Sequence, residues 1–281
     1  MELPGKLIVV TGASRGIGRA LSKKLAAHKC DLLLTALEET ELNDLSNELQ
    51  EYAVNVASIP ADLSNPESRK SLINWILNRN QLPDVLINNA GTGGAFGRFE
   101  NIDLHDIERT TALNISALIH LTHELMPALK SRPCAKIVNI SSGCARFPYP
   151  GLAVYGATKA FISSFSESLS CELSGTKVNV LCFHPGFTNT TFIESAEMDM
   201  SKVPRAIVNT PERVAARIVR AIKKDREWDY GDFSTWFGMW IGSLSPHRFK
   251  KLLFNNLFWE VPNGKVTSSR DAKGSSQSST P

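Results

Sequence analysis

Six short runs of β-branched and aliphatic residues recur within the first 182 positions, and several are apolar at almost every residue. Leu7-Ile8-Val9-Val10 and Val85-Leu86-Ile87 contain no polar side chain, so neither face of such a strand can look onto water. That is the signature of a parallel sheet covered on both sides, because a strand with one wet face alternates apolar and polar residues. The six runs lie at 7–10, 31–35, 54–58, 85–87, 136–140 and 177–181, and helix-length stretches fall at 17–28, 39–52, 64–78, 104–130 and 155–173. Strand and helix in alternation predict an α/β fold, a doubly wound sheet in a single domain. An eight-fold barrel is the competing parallel architecture, but it requires more strands than the six found here.

The first strand runs directly into Thr11-Gly12-Ala13-Ser14-Arg15-Gly16-Ile17-Gly18, and a helix opens within that string. Glycines at such a place let the backbone turn tightly and come close to a pyrophosphate. The helix amino terminus then supplies N–H donors and partial positive charge. Glycine-rich turns are common in themselves; the strand before and the helix after are what mark this one as a dinucleotide site. Further along come Ala61-Asp62-Leu63, Asn88-Asn89-Ala90-Gly91, Asn114, Ser142, Tyr155-x-x-x-Lys159 and Pro185-Gly186. Together with the glycine loop and in this order, the set resembles the short-chain dehydrogenase/reductase family in its single-domain form, over residues 5 to about 225. The resemblance implies a Rossmann-type sheet of six or seven strands and an NAD(P)-dependent oxidoreductase.

Tyr155 and Lys159 are four apart at the start of a helix, so their side chains share a face. A free phenol titrates at about pH 10, too high for ready proton exchange at neutrality, and a nearby ammonium is expected to bring it down. The pair would then give a proton to a carbonyl oxygen or take one from an alcohol. In most proteins a Tyr–Lys pair at this spacing is a surface feature; here it follows a nucleotide motif. Ser142 stands thirteen residues before Tyr155 at the carboxyl end of the fifth strand, the edge where ligands bind in such sheets. Its hydroxyl is expected to hold the substrate oxygen. Ser141 is the adjacent rival, and the family spacing favours Ser142. Asn114 falls inside the helix at 104–130, where an amide is mildly unfavourable without a partner and is more often solvent-facing. The resemblance makes it the fourth catalytic residue, positioning a water that relays protons to Lys159. No metal is expected: His28, His105, His120, His123 and His184 lack cysteine or carboxylate partners at ligand spacing. Cys144 reads as a packed thiol beside the pocket.

The resemblance also assigns nucleotide contacts to Gly12, Ser14, Arg15, Gly16, Ile17 and Gly18. It places Asp62 with Leu63 at the adenine, Asn89, Ala90 and Gly91 along the nucleotide, and Tyr155 and Lys159 at the nicotinamide end. The backbone of Pro185, Gly186 and Thr188 should lie against the nicotinamide. Choice of cofactor is set after the second strand, where a carboxylate would bind the ribose hydroxyls of NAD and repel a 2′-phosphate. The position is Ala36, which has no charge, and Arg15 offers a cation. Leu37 in place of a second arginine, with Glu38 and Glu39 close by, argues the other way. The balance of charge favours NADP over NAD.

Residues 143–154, together with Phe187, Phe192, Ile193 and Met198, predict a largely apolar pocket suited to a lipid-, acyl- or steroid-like ketone or aldehyde. Arg146 is either exposed or a receiver for an acidic group. A helix at 211–224 is expected, with Thr210 as N-cap and proline at its first position. Residues 233–261 then hold eight of the 22 aromatic residues, including Trp236, Phe237, Trp240, Phe249, Phe254, Phe258 and Trp259, interspersed with Arg248, Lys250 and Lys251. This aromatic-rich helical extension is expected to pack on the domain at 1–232 or on a partner subunit in a homodimer. Peripheral membrane contact is the alternative. Residues 262–281, rich in serine, lysine and glycine, read as a disordered tail. A net charge of +3 argues against a nucleic-acid partner. Five cysteines without a C-x-x-C pair, no signal peptide and no run of 18 apolar residues predict a cytoplasmic protein, with attachment to the cytosolic face of a membrane as the variant. The rival function is a catalytically silent NADP(H)-binding regulatory or scaffold protein, and the presence of Asn114, Ser142, Tyr155 and Lys159 together favours the enzyme.

Overall fold

β1 (Leu7–Thr11) is buried at every position and sits in the interior of the sheet that the rest of the chain builds. The computed structural model describes residues 1–189, 207–246, 248 and 250. Among these, β2 (Asp31–Ala36), β3 (Val56–Pro60), β4 (Val85–Asn88), β5 (Ala135–Ile140), β6 (Val178–His184) and β7 (Trp228–Tyr230) join β1. All pairs are parallel, in the order β3-β2-β1-β4-β5-β6-β7. This is the expected doubly wound Rossmann-type sheet. Its order reverses between β1 and β4, and a crevice opens there at the carboxyl ends of the strands.

Successive residues of β1 point to opposite faces, and each face has its own core. Ile8 and Val10 meet Leu21 and Leu25 of α1 (Gly16–Ala27), Leu42 and Leu45 of α2 (Glu39–Leu49), and Val214 and Ile218 of a helix at Pro211–Lys223. Leu7 and Val9 face Leu72 and Ile76 of α3 (Pro66–Leu77) and Leu121, Leu125 and Leu129 of a helix at Ala117–Lys130. Each such fully buried aliphatic side chain contributes about 1.5–3 kcal/mol. At the foot of β4, Asp84 is wholly buried and accepts from Leu7 N (3.0 Å), Arg132 Nε (2.9 Å) and Lys6 Nζ (3.3 Å), tying the amino end of β1 to its neighbour.

The structure departs from the sequence reading at several elements; the strand read at 54–58 runs Val56–Pro60, and the helix read at 39–52 ends its α-helical part at Leu49. The helix expected at 104–130 is α4 (Leu104–Thr111), a π-helical turn (Ala112–Ser116) and α5 (Ala117–Lys130). A seventh strand, β7, is present where none was read; it has three residues, too few to show a period. The stretch expected at 64–78 begins at Pro66, because Asn65 caps α3 by accepting from Glu67 N and Ser68 N. After α6 (Ala153–Glu172), the helix α7 (Pro211–Lys223) starts as expected, with the Thr210 hydroxyl accepting from Arg213 N. The chain continues into α8 (Phe233–Leu244), the first part of the aromatic extension. Phe192, Ile193, Met198, Phe249, Lys251, Phe254, Phe258, Trp259 and the tail at 262–281 lie outside the described residues. Among the described residues no helix is long and apolar enough to cross a membrane.

Candidate active site

A cavity of about 460 Å³ runs along the carboxyl edge of the sheet, from the glycine loop at one end to Ser142, Tyr155 and Lys159 at the other. Gly12 makes this approach possible. Its φ is +61°, and a Cβ there would stand 2.9 Å from Ala90 Cα, so only glycine lets the loop close on the end of β4. The Thr11 hydroxyl accepts from Asn89 N and Ala90 N at 3.0 Å each, and Asn89 Nδ2 donates to Thr11 O (2.9 Å) and Gly12 O (3.0 Å). The two lips of the crevice are thereby stitched together. Gly18 lies inside α1, where a Cβ would collide with Gly12 O; it seats the helix under the loop. Ser14, Arg15, Gly16 and Ile17 line the cavity at the start of α1. That start has no side-chain cap and no acidic residue in its first turn, in contrast to α3, so its first N–H groups and its positive pole face the cavity uncompensated by a side chain.

Ala36 ends β2, buried and uncharged, with Leu37 and Glu38 beside it on the cavity wall. Arg15 reaches this region, but its guanidinium is already in an ion pair with Glu41 of α2. That hydrogen bond, more than any other influence, raises the Arg15 pKa further. Asp62 and Leu63 follow β3 and also line the cavity; Asp62 Oδ1 accepts from Ser64 N (2.9 Å) and Ser64 Oγ (2.6 Å).

At the other end, Tyr155 and Lys159 lie on the first turns of α6, both buried. Lys159 Nζ donates to Ile140 O (2.9 Å) and sits 5.7 Å from the centre of the Tyr155 ring. Burial brings the Lys159 ammonium down to about 8. Burial also pushes the Tyr155 phenol well above its ordinary value, a hydrogen bond from Ser142 only partly opposing the rise. The expected lowering of the phenol by the ammonium is therefore not what the chain alone shows: desolvation outweighs attraction. Ser142 lines the cavity and its Oγ accepts from Cys144 N (3.2 Å). The Ser141 hydroxyl turns inward instead, bonding Lys159 O and Ser163 Oγ at 2.8 Å each.

Asn114 is buried in the π turn and does not face solvent. Its Nδ2 donates to Thr92 O (2.9 Å) and Thr158 Oγ1 (3.0 Å), and its Oδ1 accepts from Thr92 N (2.9 Å). Both amide protons are used within the protein, and one acceptor position remains on Oδ1. Gly91 stands between this amide and the lysine: a Cβ there would be 3.1 Å from Asn114 Oδ1 and 3.6 Å from Lys159 Nζ. Pro185, Gly186 and Thr188 follow β6 and form a further part of the cavity wall, Thr188 Oγ1 donating to Gly186 O (3.0 Å).

Some of the site was not read from the sequence. Thr92, Thr158 and Ser163 hold the main chain of the site through hydroxyl and backbone bonds, and His184 bonds Ser163 Oγ (2.9 Å) from behind. Burial holds the His184 imidazole down at about 3 and so neutral. More unexpectedly, α8 forms part of the cavity wall through Thr235, Gly238 and Met239. Its cap, Asp232 accepting from Thr235 N (2.8 Å), sits over Gly186, where a Cβ would be 2.6 Å from Asp232 Oδ2. The Asp232-x-x-Thr235 pair was the available signal. Leu113, Phe147, Leu152, Phe187 and Met239 give part of the cavity an apolar lining, with Arg109 of α4 also present. Cys144 is pushed up to about 11 by burial, consistent with a packed thiol. Among the described residues no group of three or more histidine, cysteine or carboxylate side chains could hold a metal.

Residues 6–201 match the family described as short chain dehydrogenase. The chain is 35% identical over 187 residues to sulfoacetaldehyde reductase 2 of Chromohalobacter salexigens, covering 66% of this chain and 74% of that protein. A short-chain dehydrogenase from Sphingobium yanoikuyae, solved in complex with NADPH, superposes with a TM-score of 0.77 at 26% identity, over 92% of this chain and 99% of that one. A short-chain dehydrogenase/reductase from Burkholderia phymatum in complex with NAD shares the fold, with a TM-score of 0.77 at 23% identity and coverage of 93% and 99%. The chain belongs to the short-chain dehydrogenase/reductase family of oxidoreductases.

Proposed function

We propose that this protein is an NADP(H)-dependent carbonyl reductase acting on an apolar ketone or aldehyde, or on the matching secondary alcohol in the reverse direction. One observation carries the reading: a single cavity joins the uncapped α1 terminus under Gly12 to the Ser142–Tyr155–Lys159 cluster. The residues present fit a dinucleotide. Glycine at 12 gives the backbone clearance, the α1 N–H groups suit a pyrophosphate, and Ala36 places no carboxylate against a 2′-phosphate. Reductase chemistry agrees with the Chromohalobacter relative. The Sphingobium neighbour holds NADPH and the Burkholderia neighbour NAD, so the preference for NADP rests on the cation at position 15 and the lack of a carboxylate at position 36.

A reduced nicotinamide held here would supply the hydride for the carbonyl carbon. The chain's own residues handle the oxygen. Ser142 Oγ donates to it and fixes its distance from the Tyr155 phenol, which gives up its proton as negative charge develops. Lys159, titrating at about 8, exchanges protons close to neutral pH and stabilises the phenolate once it forms. Asn114 acts as a positioning residue through Thr92 and Thr158, with one Oδ1 lone pair free to hold a water on the way to Lys159. The apolar wall excludes bulk water and suits an alkyl or ring substituent.

The test is kcat/KM for ketones and aldehydes of graded chain length with NADPH and with NADH, alongside Tyr155→Phe. NADPH should be preferred and longer apolar carbonyls favoured. The variant should lose about 10²–10⁴ in rate while still binding nucleotide. Nucleotide binding without turnover of any carbonyl would instead establish the silent regulatory alternative, and higher efficiency with NADH would overturn the cofactor assignment.

A further inference from the structure

α8 is apolar on both faces, and within the described structure only one of them is covered. Met239 and Gly242 are buried, and Thr235, Gly238 and Met239 wall the cavity. The Phe147 ring packs against the helix so closely that a Cβ on Gly242 would lie 2.8 Å from it. The other side carries Phe233, Phe237, Trp240 and Leu244 at the i, i+4, i+7, i+11 positions of one stripe, with Trp236 beside them. Phe233 is 70% exposed, Trp240 53% and Leu244 67%. The rings stack on one another along the outside of the helix, with centroids 5.3 Å apart for Phe233–Trp236, 6.0 Å for Phe233–Phe237 and 6.3 Å for Phe237–Trp240. A contiguous aromatic patch of this kind marks an interaction surface.

Charge decides between occupants. From Phe233 to Trp259 the chain has no aspartate or glutamate, and it has Arg248, Lys250 and Lys251. Arg248 is exposed just beyond the end of α8. Two copies meeting through this face would bring like charges together with no acidic group on the same stretch to answer them. An anionic lipid surface supplies the missing charge, and tryptophan with phenylalanine beside basic residues suits the boundary between headgroups and acyl chains. We propose that the outer face of α8 docks on an anionic lipid bilayer, its rings in the interfacial layer and Arg248 and Lys250 on the lipid phosphates. The same helix walls the cavity, so docking brings the cavity within about one helix diameter, roughly 10 Å, of the lipid. The docking claim stands on α8 and the basic residues that follow it, and does not rest on the redox reading.

The full chain is tested by co-sedimentation with phosphatidylcholine vesicles, with and without one-third phosphatidylserine. Binding is expected to the mixed vesicles and to weaken as salt is raised. Trp236→Ser/Phe237→Ser/Trp240→Ser should weaken it about a hundredfold. Arg248→Gln and Lys250→Gln should each weaken it about fivefold. Far-ultraviolet circular dichroism and thermal melting report that these variants stay folded. A second measurement needs no disruptive change: brominated phosphatidylcholine in the mixed vesicles should quench tryptophan fluorescence, and Trp236→Phe/Trp240→Phe should remove most of the quenching. Indifference to both kinds of vesicle overturns the proposal. So does a dimer in solution that the triple serine variant dissociates, because a second copy would then be the occupant.

Discussion

If Arg15 is the residue that receives the 2′-phosphate of NADPH, then Glu41 is its competitor, and Glu41→Gln should tighten NADPH. Two contributions can be worked from the structure. The Arg15–Glu41 pair is partly in water, with side-chain exposures of 41% and 29%, so giving it up costs only about 0.2–1 kcal/mol. The displaced carboxylate then remains beside the phosphate. Two unit charges about 4 Å apart in water repel by about 1 kcal/mol, more for a doubly charged phosphate, and salt reduces the sum. Together these amount to about 1–2 kcal/mol, or a five- to thirtyfold lower Kd for NADPH in the variant. NADH has no 2′-phosphate and should bind with almost unchanged affinity. Titration of nicotinamide fluorescence with each cofactor at low and high salt measures this directly, and the gain should shrink as salt rises. Unchanged or weaker NADPH binding, or an equal gain for NADH, would show that the phosphate does not meet Arg15.

Three further outcomes are expected. Lys159→Met should change how stability depends on pH: the wild-type lysine titrates at about 8 when folded against 10.5 ordinarily, so from pH 8 upward the unfolded chain holds more protons and wild-type stability rises. The wild-type Tm should therefore gain on the variant's between pH 8 and 10, and a constant gap would refute the buried ammonium. Gly91→Ala forces a methyl to 3.1 Å from Asn114 Oδ1, so it should cost about 1–3 kcal/mol in denaturant unfolding and lower turnover as well; wild-type values for both would show that the Asn114–Thr92 clamp has slack. Asp84→Asn leaves Lys6 and Arg132 without their carboxylate; both reach water, so urea unfolding at pH 7 should show a loss of about 1–3 kcal/mol, and no loss would mean that water replaces the carboxylate at no cost.

The strands were legible because residues such as Ile8 and Val9 must be buried on opposite faces at once, and only a covered parallel sheet allows that. β7 was hidden by its chemistry as well as its length. Its middle residue is Asp229, buried only because Arg226 pairs with it at 2.8 Å and Arg217 approaches to 3.7 Å. Motifs local in sequence, the glycine loop and the Tyr155–Lys159 pair, could be read and placed. Thr92, Thr158 and Ser163 could not, since the main chain of Thr92 and the hydroxyls of Thr158 and Ser163 acquire a role only when the fold carries a distant partner to them. α8 was hard for another reason: a helix apolar all round does not declare which side turns inward, and here Gly238 and Gly242 decide it by admitting Phe147.

The π turn at Ala112–Ser116 makes residue count itself part of the site. Asp106, Thr110, Asn114, Leu118, Leu121 and Leu125 are all buried, and they span nineteen positions where five α-helical turns of about 3.6 residues would take eighteen. The extra residue lets Asn114 face Thr92 and Thr158 while α4 keeps Asp106 and Thr110 buried and α5 keeps its leucines on the core. Removing Ala112, Ile115 or Ser116 from this stretch would leave a chain fully able to close into an unbroken α-helix, with better local hydrogen bonding than before. That helix would carry α4 round by about 100° relative to α5. Arg109 would then swing off the cavity wall, and Thr110 away from Gly94. A deletion that changes no chemical group of the site would dismantle it by changing phase, as dropping one tooth from a gear puts every later tooth out of mesh.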